Sequence, residues 1–429
     1  MFSLKKIFIY AILFLTICPA IQAAETQQLN SGNTAWVLIS TALILFMAIP
    51  GLSMFYGGLV RDKNKLSIYM QCFTIVCVVS ILWLCFGYSF AFTNGGGFEP
   101  FVGGYSRVFF NSYIIDKLHG DIPEISFFGF QMMFAVITPA LMVGAIVGRM
   151  KFSALILFVA LWTIFVYIPV CHWIWGGGWL QQLGVIDFAG GIVIHTSAGV
   201  SAIVAAIFIG RRRGFPKFMQ PNSIAITVMG AGMLWVGWFG FNAGSVLAAN
   251  SHAAQTLIAT HVSAAAAGVT WFVIDWIRSG KPTVIGIVTG AVAGLASVTP
   301  ASGYIGPFGA LVIGICAGGL CFLITYWIKE KIEIDDSLDV FSVHGVGGMM
   351  GSLLAAVFGA TVLGGRGLAE GMTIMKQLGV QALAVVVVAI WSILLTYLIL
   401  KACAVLLKGV RVSKADELVG LDISQHGSS

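Results

Sequence analysis

Long apolar segments separated by short charged connections constrain this chain more than any other feature of its sequence. Windows of about 20 residues that are almost wholly apolar recur between residues 34 and 405, and an α-helix needs this length to cross a bilayer. Charged residues make up 9% of the chain and hydrophobic residues 59%, whereas a soluble domain carries about 25% charged residues. A core cannot bury so much apolar surface, so the sequence predicts an all-α polytopic membrane protein.

Eleven apolar segments are long enough to be membrane spans, and they form a predicted membrane domain over residues 24–407. The segments lie at 34–59, 66–92, 126–148, 153–175, 189–210, 222–245, 255–277, 283–300, 307–328, 338–360 and 377–405. Before them, Lys5 and Lys6 precede a short apolar run and then small residues, which predicts a cleaved signal peptide at residues 1–23. Residues 408–429 are predicted to form a cytoplasmic C-terminal tail.

Positive charge favours one side of the predicted stack of helices. With the mature N-terminus outside, 17 Lys and Arg residues fall in the odd-numbered connections, the tail and the end of the last segment, where Lys401 lies, and 4 fall on the other side. Cytoplasmic connections carry such an excess of Lys and Arg, so the pattern predicts an N-out, C-in orientation. Together with the signal peptide, it predicts a multi-pass protein of a bacterial inner membrane. The same distribution accounts for the net charge of +6 without a nucleic-acid partner.

Two histidines lie inside predicted spans at matching positions, five spans apart. His195 opens "HTSAG" in the fifth segment, and His344 opens "HGVGG" in the tenth. Each follows an acid, Asp187 eight residues earlier and Asp339 five residues earlier, and an acid at a helix N-terminus is stabilising. The pattern predicts an inverted 5+5 repeat plus a C-terminal helix, with both histidines near the middle of the membrane. Two unrelated packing histidines are the alternative, although intramembrane ionisable residues usually line a functional cavity.

Aromatic and hydroxyl side chains gather at the outer ends of several predicted spans. The topology places four of them in the outer third of the membrane: Phe134, Trp175, Phe241 and Ser245. Aromatic faces attract a small cation through cation–π interaction, and a hydroxyl adds one hydrogen bond. The pattern therefore suits a site for a small cation. The alternative is an aromatic belt at the membrane interface.

The sequence offers little that an enzyme would need. No C-x-x-C motif occurs, and six of the seven cysteines beyond the signal peptide lie inside apolar runs, where cysteine is usually a small hydrophobe. The sequence also contains no motif for a nucleophile, a metal-ligand cluster or a phosphate loop. We therefore expect a protein that is not an enzyme and that holds no cofactor and no metal ion. Three further histidines, His172, His252 and His261, are interpreted as packing or interfacial residues.

Several blocks of the sequence resemble one family. The stretch "DFAGGIVIHTSAGVSA" is similar to the signature of the Amt/Mep/Rh family of ammonium transporters, and similar blocks follow in "IPGLSMFYGGLVRDKN", "YIPVCHWIWGGG", "GWFGFNAGS", "TPASGYIGP" and "DVFSVHGVGG". The similarity extends from about residue 33 to the tail. It implies a bacterial Amt-type transporter of ammonium or ammonia, assembled as a homotrimer with one hydrophobic pore in each subunit.

The resemblance also implies roles for individual residues. The implied ammonium-recruitment site consists of Phe134, Trp175 and Ser245, and the implied gate consists of Phe134 and Phe241. The implied proton-relaying pair in the pore is His195 and His344. Supporting roles near the outer site and the pore fall to Asp187, Thr299, Tyr167 and Trp238. The ion would lose its proton at the outer site, and ammonia would cross the pore with separate transfer of the proton.

Two features depart from the family pattern. Met132 and Met133 lie beside Phe134 where many relatives have small residues, and the tail ends in serines where bacterial relatives often carry an acid. The tail of the family works with cytoplasmic PII-type proteins, and the serines weaken the expectation of such a partner. Three alternatives stay open: an ammonium sensor, a Rh-like channel for neutral gas and a histidine-based metal transporter. Trp175 and Ser245 argue against the Rh-like channel, and a sensor would carry an added signalling domain.

Overall fold

The structure, a computed structural model, describes residues 28–110, 117–216 and 220–427. The predicted signal peptide at residues 1–23 lies outside the described residues. Within them, ten apolar helices reach the length that a membrane span requires, and one further apolar helix, α8, is shorter. In chain order the helices are α1 (Ser31–Leu59), α2 (Asp62–Phe92), α3 (Glu124–Ala145), α4 (Phe152–Gln182), α5 (Gly191–Ile209), α6 (Ile224–Gly244), α7 (Ser251–Ser279), α8 (Val284–Val298), α9 (Pro307–Ile332), α10 (Phe341–Phe358) and α11 (Ile374–Leu406). Each predicted apolar segment corresponds to one of them.

Polar side chains and a glycine determine where α7 and α8 begin and end. Asn250 accepts the N–H of His252 at the start of α7, and Thr283 accepts the N–H of Gly286 at the start of α8. Between these caps α7 ends at Gly280, whose φ of 77° lies in the left-handed region that glycine tolerates. The connection between the two helices is therefore tight, and α7 and α8 pack side by side.

Small residues let the helices approach one another closely. A Cβ added to Gly230 of α6 would lie 2.2 Å from the backbone N of Phe55 in α1. One added to Gly294 of α8 would lie 2.4 Å from the carbonyl O of Ser263 in α7. No side chain fits at either place, so glycine sets the spacing of these helices, as it does in many membrane bundles.

The glycines of the two H-x-x-x-G patterns form the contact between α5 and α10. A Cβ on Gly199 would lie 2.2 Å from the backbone N of Gly345, and one on Gly348 would lie 2.6 Å from the carbonyl O of Gly191. Residue numbers rise along α5 while they fall along α10, so the two helices run in opposite directions where they touch. The repeated glycine spacing therefore brings the helices of the two histidines into backbone contact.

The tail folds into two short helices, α12 (Lys414–Val419) and α13 (Leu421–His426). A capping box between Ser413 and Asp416 starts α12. The tail bonds to residues beside three connections: Asp422 accepts the N–H groups of Leu66 and Ser67, Glu417 that of Arg213, and Gln425 that of Phe152. The tail and the α1–α2, α3–α4 and α5–α6 connections therefore lie on one side of the molecule.

A two-stranded antiparallel hairpin precedes α3. Its strands are β1 (Leu118–His119) and β2 (Ile122–Pro123), with Leu118 opposite Pro123. The carbonyl of Asp121 in its turn accepts the N–H of Asn30 at 2.8 Å, immediately before α1. The hairpin therefore lies at the start of α1, whereas the tail contacts the connection at the end of that helix.

Candidate functional site

Two buried histidines touch where α5 meets α10. The Nδ1 atoms of His195 and His344 lie 3.2 Å apart, and their ring planes are inclined by 20°. Only 1% of His195 and 4% of His344 is exposed. A hydrogen bond needs one donor and one acceptor, so a neutral pair carries its shared proton on only one of the two Nδ1 atoms. The arrangement can therefore share one proton between two rings.

Each histidine lies in a turn of π-helix, which is wound more loosely than an α-helix. The turns cover Gly191–Thr196 and Phe341–Val346, and each continues into regular α-helix. Such turns are rare and frequently occur at functional sites. The two halves of the chain therefore build their histidine positions in the same way.

Asp187 is the acid that starts α5. Its carboxylate accepts four backbone N–H groups, from residues 190 to 193, at 2.6 to 3.1 Å. Burial raises the pKa of Asp187 to about 6, and the four N–H donors act in the opposite direction. The carboxylate therefore satisfies the free N–H groups at the helix start, eight residues before His195.

In the second half the corresponding acid is Asp336, and the expectation that Asp339 starts α10 is wrong. Asp336 accepts the N–H of Phe341 at 2.8 Å and precedes His344 by eight residues, the same spacing as in the first half. Asp339 has a left-handed backbone, with φ of 62°, and its carboxylate pairs with Lys329 at 2.6 Å. Burial raises the pKa of Asp336 to about 6. The spacing from the helix-start acid to the histidine is therefore the same in both halves, whereas the pairing of Asp339 with His344 suggests two different spacings.

A cavity of about 230 Å³, named here the aromatic cavity, lies near the hairpin. Its lining is Phe92, His119, Phe127, Phe130, Gln131, Phe134, Trp175, Phe188, Ser245 and Leu247. Trp175 stands edge-on to Phe134 with 5.8 Å between ring centroids, and its indole N–H donates to the carbonyl of Asp187 at 2.7 Å. The Ser245 hydroxyl donates to the carbonyl of Phe241 at 2.9 Å, which leaves its oxygen lone pairs for a donor in the cavity. The structure thus brings together the three predicted recruitment residues.

Sequence reasoning misses the other seven lining residues. A signal was available for part of the set, because Phe127, Phe130, Gln131 and Phe134 follow the i, i+3, i+4, i+7 spacing of one helix face. His119 comes from the hairpin and stacks on Phe127, with 3.8 Å between ring centroids. No local pattern predicts that the hairpin folds over the start of α3, so this residue could be placed only by the structure.

Two stacked phenyl rings separate the aromatic cavity from the histidines. The ring centroids of Phe134 and Phe241 lie 4.5 Å apart, and the planes are inclined by 18°. Beyond them is a narrow cavity of about 10 Å³, lined by Phe241, Trp238, His195 and aliphatic side chains. Trp238 lies parallel to His195, with 5.7 Å between centroids, and its N–H donates to the Thr299 hydroxyl at 2.9 Å. The predicted gate residues therefore lie between the aromatic cavity and the narrow cavity that His195 lines, and the Thr299 hydroxyl accepts the hydrogen bond that orients Trp238 beside it.

A third cavity, named here the charged cavity, reaches the other histidine. Its volume is about 320 Å³, and His344 is part of its wall. Four charged side chains line it, namely Arg212, Lys329, Glu330 and Asp339. Its wall also includes the segment that joins α9 to α10. The histidine pair therefore lies between a cavity of mainly aromatic character and a cavity rich in charge.

A buried cluster of charges anchors the segment between α9 and α10. Asp335 pairs with Arg149 at 3.2 Å and with Arg212 at 2.7 Å, and the side chains of Arg149 and Asp335 are fully buried. Arg149 also donates to the Ser337 hydroxyl at 2.8 Å. Burial acts to raise the pKa of Asp335, but the two arginines outweigh it and hold the pKa below its ordinary value. The cluster fixes the chain immediately beside Asp336.

Comparison with known proteins decides the family. The sequence profile of the Ammonium Transporter Family matches residues 35–429. This chain belongs to that family. It is 45% identical over 408 residues to a putative ammonium transporter of Methanothermobacter thermautotrophicus, which covers 93% of this chain and 98% of the relative. It is 42% identical over 422 residues to an ammonium transporter of Aquifex aeolicus, with 97% of each chain covered.

Solved structures of similar proteins share the fold. A protein described as a Sensor Amt Protein matches with a TM-score of 0.85 and 30% identity, over 92% of this chain and 98% of that chain. Mep2 of Saccharomyces cerevisiae matches with a TM-score of 0.80 and 31% identity, over 90% and 91% of the two chains. The prediction of a polytopic helical membrane protein is thereby confirmed, and the relatives are named as transporters rather than enzymes.

The sequence also singles out Tyr167 and the two methionines before Phe134. Tyr167 lines none of the three cavities; it is fully buried and packs against Trp83 of α2, with 6.3 Å between ring centroids. Its interpretation as a pore-lining residue stays a prediction. Met132 and Met133 follow Gln131 on α3, but neither lines the aromatic cavity, so the two methionines do not narrow it.

The histidines outside the pair have structural partners. Both ring nitrogens of His172 lie within hydrogen-bond distance of carbonyls, Nδ1 of Ala91 near the end of α2 and Nε2 of Glu99 in the following connection, and a neutral ring donates to one of the two. His252 bonds to the carbonyl of Gly303 at 2.7 Å. In the part of the chain that the structure describes, no three His, Cys, Asp or Glu side chains are grouped so that they could hold a metal ion.

Proposed function

We propose that this chain takes up ammonium across the inner membrane of a bacterium. The path joins the aromatic cavity, the stacked rings of Phe134 and Phe241, the narrow cavity, the histidine pair and the charged cavity. The observation that carries the proposal is the 3.2 Å contact between Nδ1 of His195 and Nδ1 of His344, placed between two wide cavities. Membership of the ammonium transporter family supports the substrate.

The aromatic cavity recruits the ammonium ion. The rings of Phe134 and Trp175 offer cation–π attraction, which reaches about 2 kcal/mol at desolvated sites, and the Ser245 oxygen accepts one N–H. The hydrogen bond from Trp175 to the carbonyl of Asp187 keeps the indole ring in one orientation. The buried carboxylate of Asp187 adds negative potential beside the cavity, which favours a cation over neutral solutes.

The ion loses its proton before it reaches the narrow cavity, and Nε2 of His195 is the group that receives this proton. Moving a small ion from water into a medium of dielectric constant near 4 costs of order 20 kcal/mol in the idealised Born picture. A space of about 10 Å³ holds at most about one water molecule, too few to offset this cost. Neutral ammonia avoids most of the penalty, and it passes when the rings of Phe134 and Phe241 move apart.

The proton crosses separately through the histidine pair. Nε2 of His195 is buried and has no hydrogen-bond partner among the described residues, so it is available on the side of the narrow cavity. The shared Nδ1 contact connects His195 to His344, which borders the charged cavity. Ammonia and the proton recombine there, and one net positive charge is moved for each ammonia molecule.

The distribution of Lys and Arg among the connections and the position of the tail both indicate how the chain is oriented in the membrane. We expect all eleven helices, the shorter α8 included, to cross the membrane in an N-out, C-in orientation after cleavage of residues 1–23. The membrane domain would cover residues 24–407 and the cytoplasmic tail residues 408–429. The tail lies on the side of the connections rich in Lys and Arg, which supports this orientation. We further propose a homotrimer, with the tail side as the surface that meets a cytoplasmic PII-type protein.

The decisive experiment records ammonium-triggered current in proteoliposomes. We expect the parent protein to give an inward current and His195→Ala to lower it about 100-fold or more, the scale of a lost proton-transfer group. His261→Ala is the matched control, because His261 is exposed and lines none of the three cavities.

The other results would each replace the proposal. Ammonia influx detected by an internal pH dye without current would make the chain a neutral-gas channel. Neither current nor influx from a correctly folded parent would favour a sensor, the role named for one structural neighbour.

A further inference from the structure

One polar side chain in the aromatic cavity has no role in the path described so far. Gln131 lies on α3 and forms part of the cavity wall. It is nine-tenths buried, with 9% of its surface exposed, and its side-chain oxygen has no hydrogen-bond partner among the described residues. Buried polar groups in folded proteins are nearly always hydrogen-bonded, so each exception calls for an explanation.

The chemistry of ammonium supplies that explanation. An ammonium ion brings four N–H donors, and it loses water partners for them when it enters an apolar space. The rings of Phe134 and Trp175 compensate for its charge but accept hydrogen bonds only weakly. The Ser245 hydroxyl offers one acceptor oxygen, because its own proton is used on the carbonyl of Phe241. A second uncharged acceptor in the same cavity would satisfy another N–H of the ion.

We propose that the side-chain carbonyl of Gln131 is this second acceptor and so helps to set the affinity of the aromatic cavity for ammonium. This inference rests on the proposed function and deepens it at the recruitment step. Gln131 precedes Phe134 by three residues on the same face of α3, so it lies nearer to the hairpin than the stacked rings do. It therefore acts before the gate, on binding and not on passage.

Gln131 suits this task better than a carboxylate would. A neutral amide oxygen accepts a hydrogen bond from the ion but adds no charge to hold it in place, so the ion can still lose its proton and move on. The side-chain amide can also rotate by about 180° and exchange its O and N positions in nearly the same space, because the two ends are similar in size. The carbonyl end then meets the ion, since the NH₂ end would repel it.

The test measures ammonium current against ammonium concentration in proteoliposomes, for the parent, Gln131→Met and Gln131→Glu. Methionine keeps the length and volume of glutamine but accepts hydrogen bonds poorly, and glutamate keeps an acceptor oxygen. We expect Gln131→Met to raise the KM for ammonium about tenfold, the scale of one hydrogen bond to a charged group, with little change in maximum current. We expect Gln131→Glu to restore a KM at or below that of the parent.

A buried glutamine elsewhere in the molecule provides the matched control. Gln71 on α2 donates to the Ser67 hydroxyl at 3.0 Å and lines none of the three cavities, so Gln71→Met should keep the parent's KM. An unchanged KM in Gln131→Met would overturn the inference, and so would a loss of maximum current at constant KM, because packing alone would explain it. A parent that gives no saturable current would overturn the proposed function and this inference together.

Discussion

The aromatic cavity and the charged cavity approach the same histidine pair, yet they are built from different residues. Each approach uses an acid, a helix start and a histidine eight residues later, in Asp187 to His195 and in Asp336 to His344. One cavity is lined mainly by rings with one hydroxyl and one amide, and the other includes four charged side chains. The two halves therefore share the acid-to-histidine unit, and the cavities beside it differ in chemistry, which on the proposed function gives the two ends different tasks.

The two halves also differ in what holds the acid in place. In the first half one carboxylate accepts four backbone N–H groups and needs no cation. In the second half Asp336 follows directly after Asp335, which two arginines hold in a buried cluster. We infer that the aromatic end depends on hydrogen bonds to backbone, whereas the charged end depends on ion pairs.

Breaking the buried cluster should have the largest effect on stability. Asp335→Asn removes the charge that compensates Arg149, whose side chain is fully buried, and such a loss typically destabilises a protein by about 3 to 5 kcal/mol. The exposed pair of Arg211 and Glu333 is the matched control, and Glu333→Gln should cost less than about 1 kcal/mol. Thermal unfolding of the two variants in detergent checks the difference. Equal shifts in the two variants would show that the charged end does not depend on the buried pair.

The same cluster predicts how stability changes with acid. Because the folded pKa of Asp335 lies below its ordinary value, its stabilising contribution is present above about pH 4 and is lost as the pH falls through the lowered pKa. The parent should therefore lose thermal stability below about pH 4. The Asp335→Asn variant, which starts from a lower value, should lose less of it over the same range. A parallel loss in both proteins would assign the acid sensitivity to other carboxylates.

Replacing the acid at each helix start should destabilise the two halves by different amounts, and the effects should be smaller than that of Asp335→Asn. Asp187→Asn weakens bonds to four N–H groups and should destabilise the fold by about 2 to 3 kcal/mol. Asp336→Asn weakens bonds to the N–H groups of Phe341 and Val340 and should cost about 1 kcal/mol. Thermal unfolding of both variants measures the order. A larger loss of stability in Asp336→Asn than in Asp187→Asn would contradict the inference that the first acid makes the stronger set of hydrogen bonds.

The smallest effect concerns substrate affinity at the two ends. Ser245→Ala removes one acceptor from the aromatic cavity and should raise the KM for ammonium about fivefold, the scale of about 1 kcal/mol. Glu330→Gln changes the lining of the charged cavity and should leave the KM for uptake unchanged. Concentration dependence of the current measures both. A KM that responds equally to the two changes would contradict the division of tasks between the cavities.

Much of the fold follows from the sequence because two physical constraints are strong. Apolar length predicts helices α1 to α11, since a bilayer imposes it. The H-x-x-x-G spacing brings the two histidine helices together because only glycine permits backbone contact. The choice between Asp336 and Asp339 could not be made in advance. It depends on a left-handed residue at position 339, and no local pattern marks an aspartate for that conformation.

The composition of the aromatic cavity was only partly predictable for a similar reason. Phe134 and Trp175 lie on α3 and α4 and Ser245 directly follows α6, and the topology alone places all three in the outer third of the membrane. His119 reaches the cavity through a hairpin whose position depends on tertiary packing. For Tyr167 the family pattern suggests a pore residue, and the structure adds the contact of its ring with Trp83, so its role in the pore stays a prediction.

The small volume of the narrow cavity limits how many molecules can occupy it at one time. Its volume of about 10 Å³ is close to the least that holds one water molecule, so molecules must pass one at a time. On the path proposed above, movements in the two directions compete for this single place, so ammonia arriving from inside delays ammonia arriving from outside. No continuous column of water can form there. On the proposed function, many copies of this transporter would therefore pass ammonia without a bulk flow of water that would change the volume of the cell.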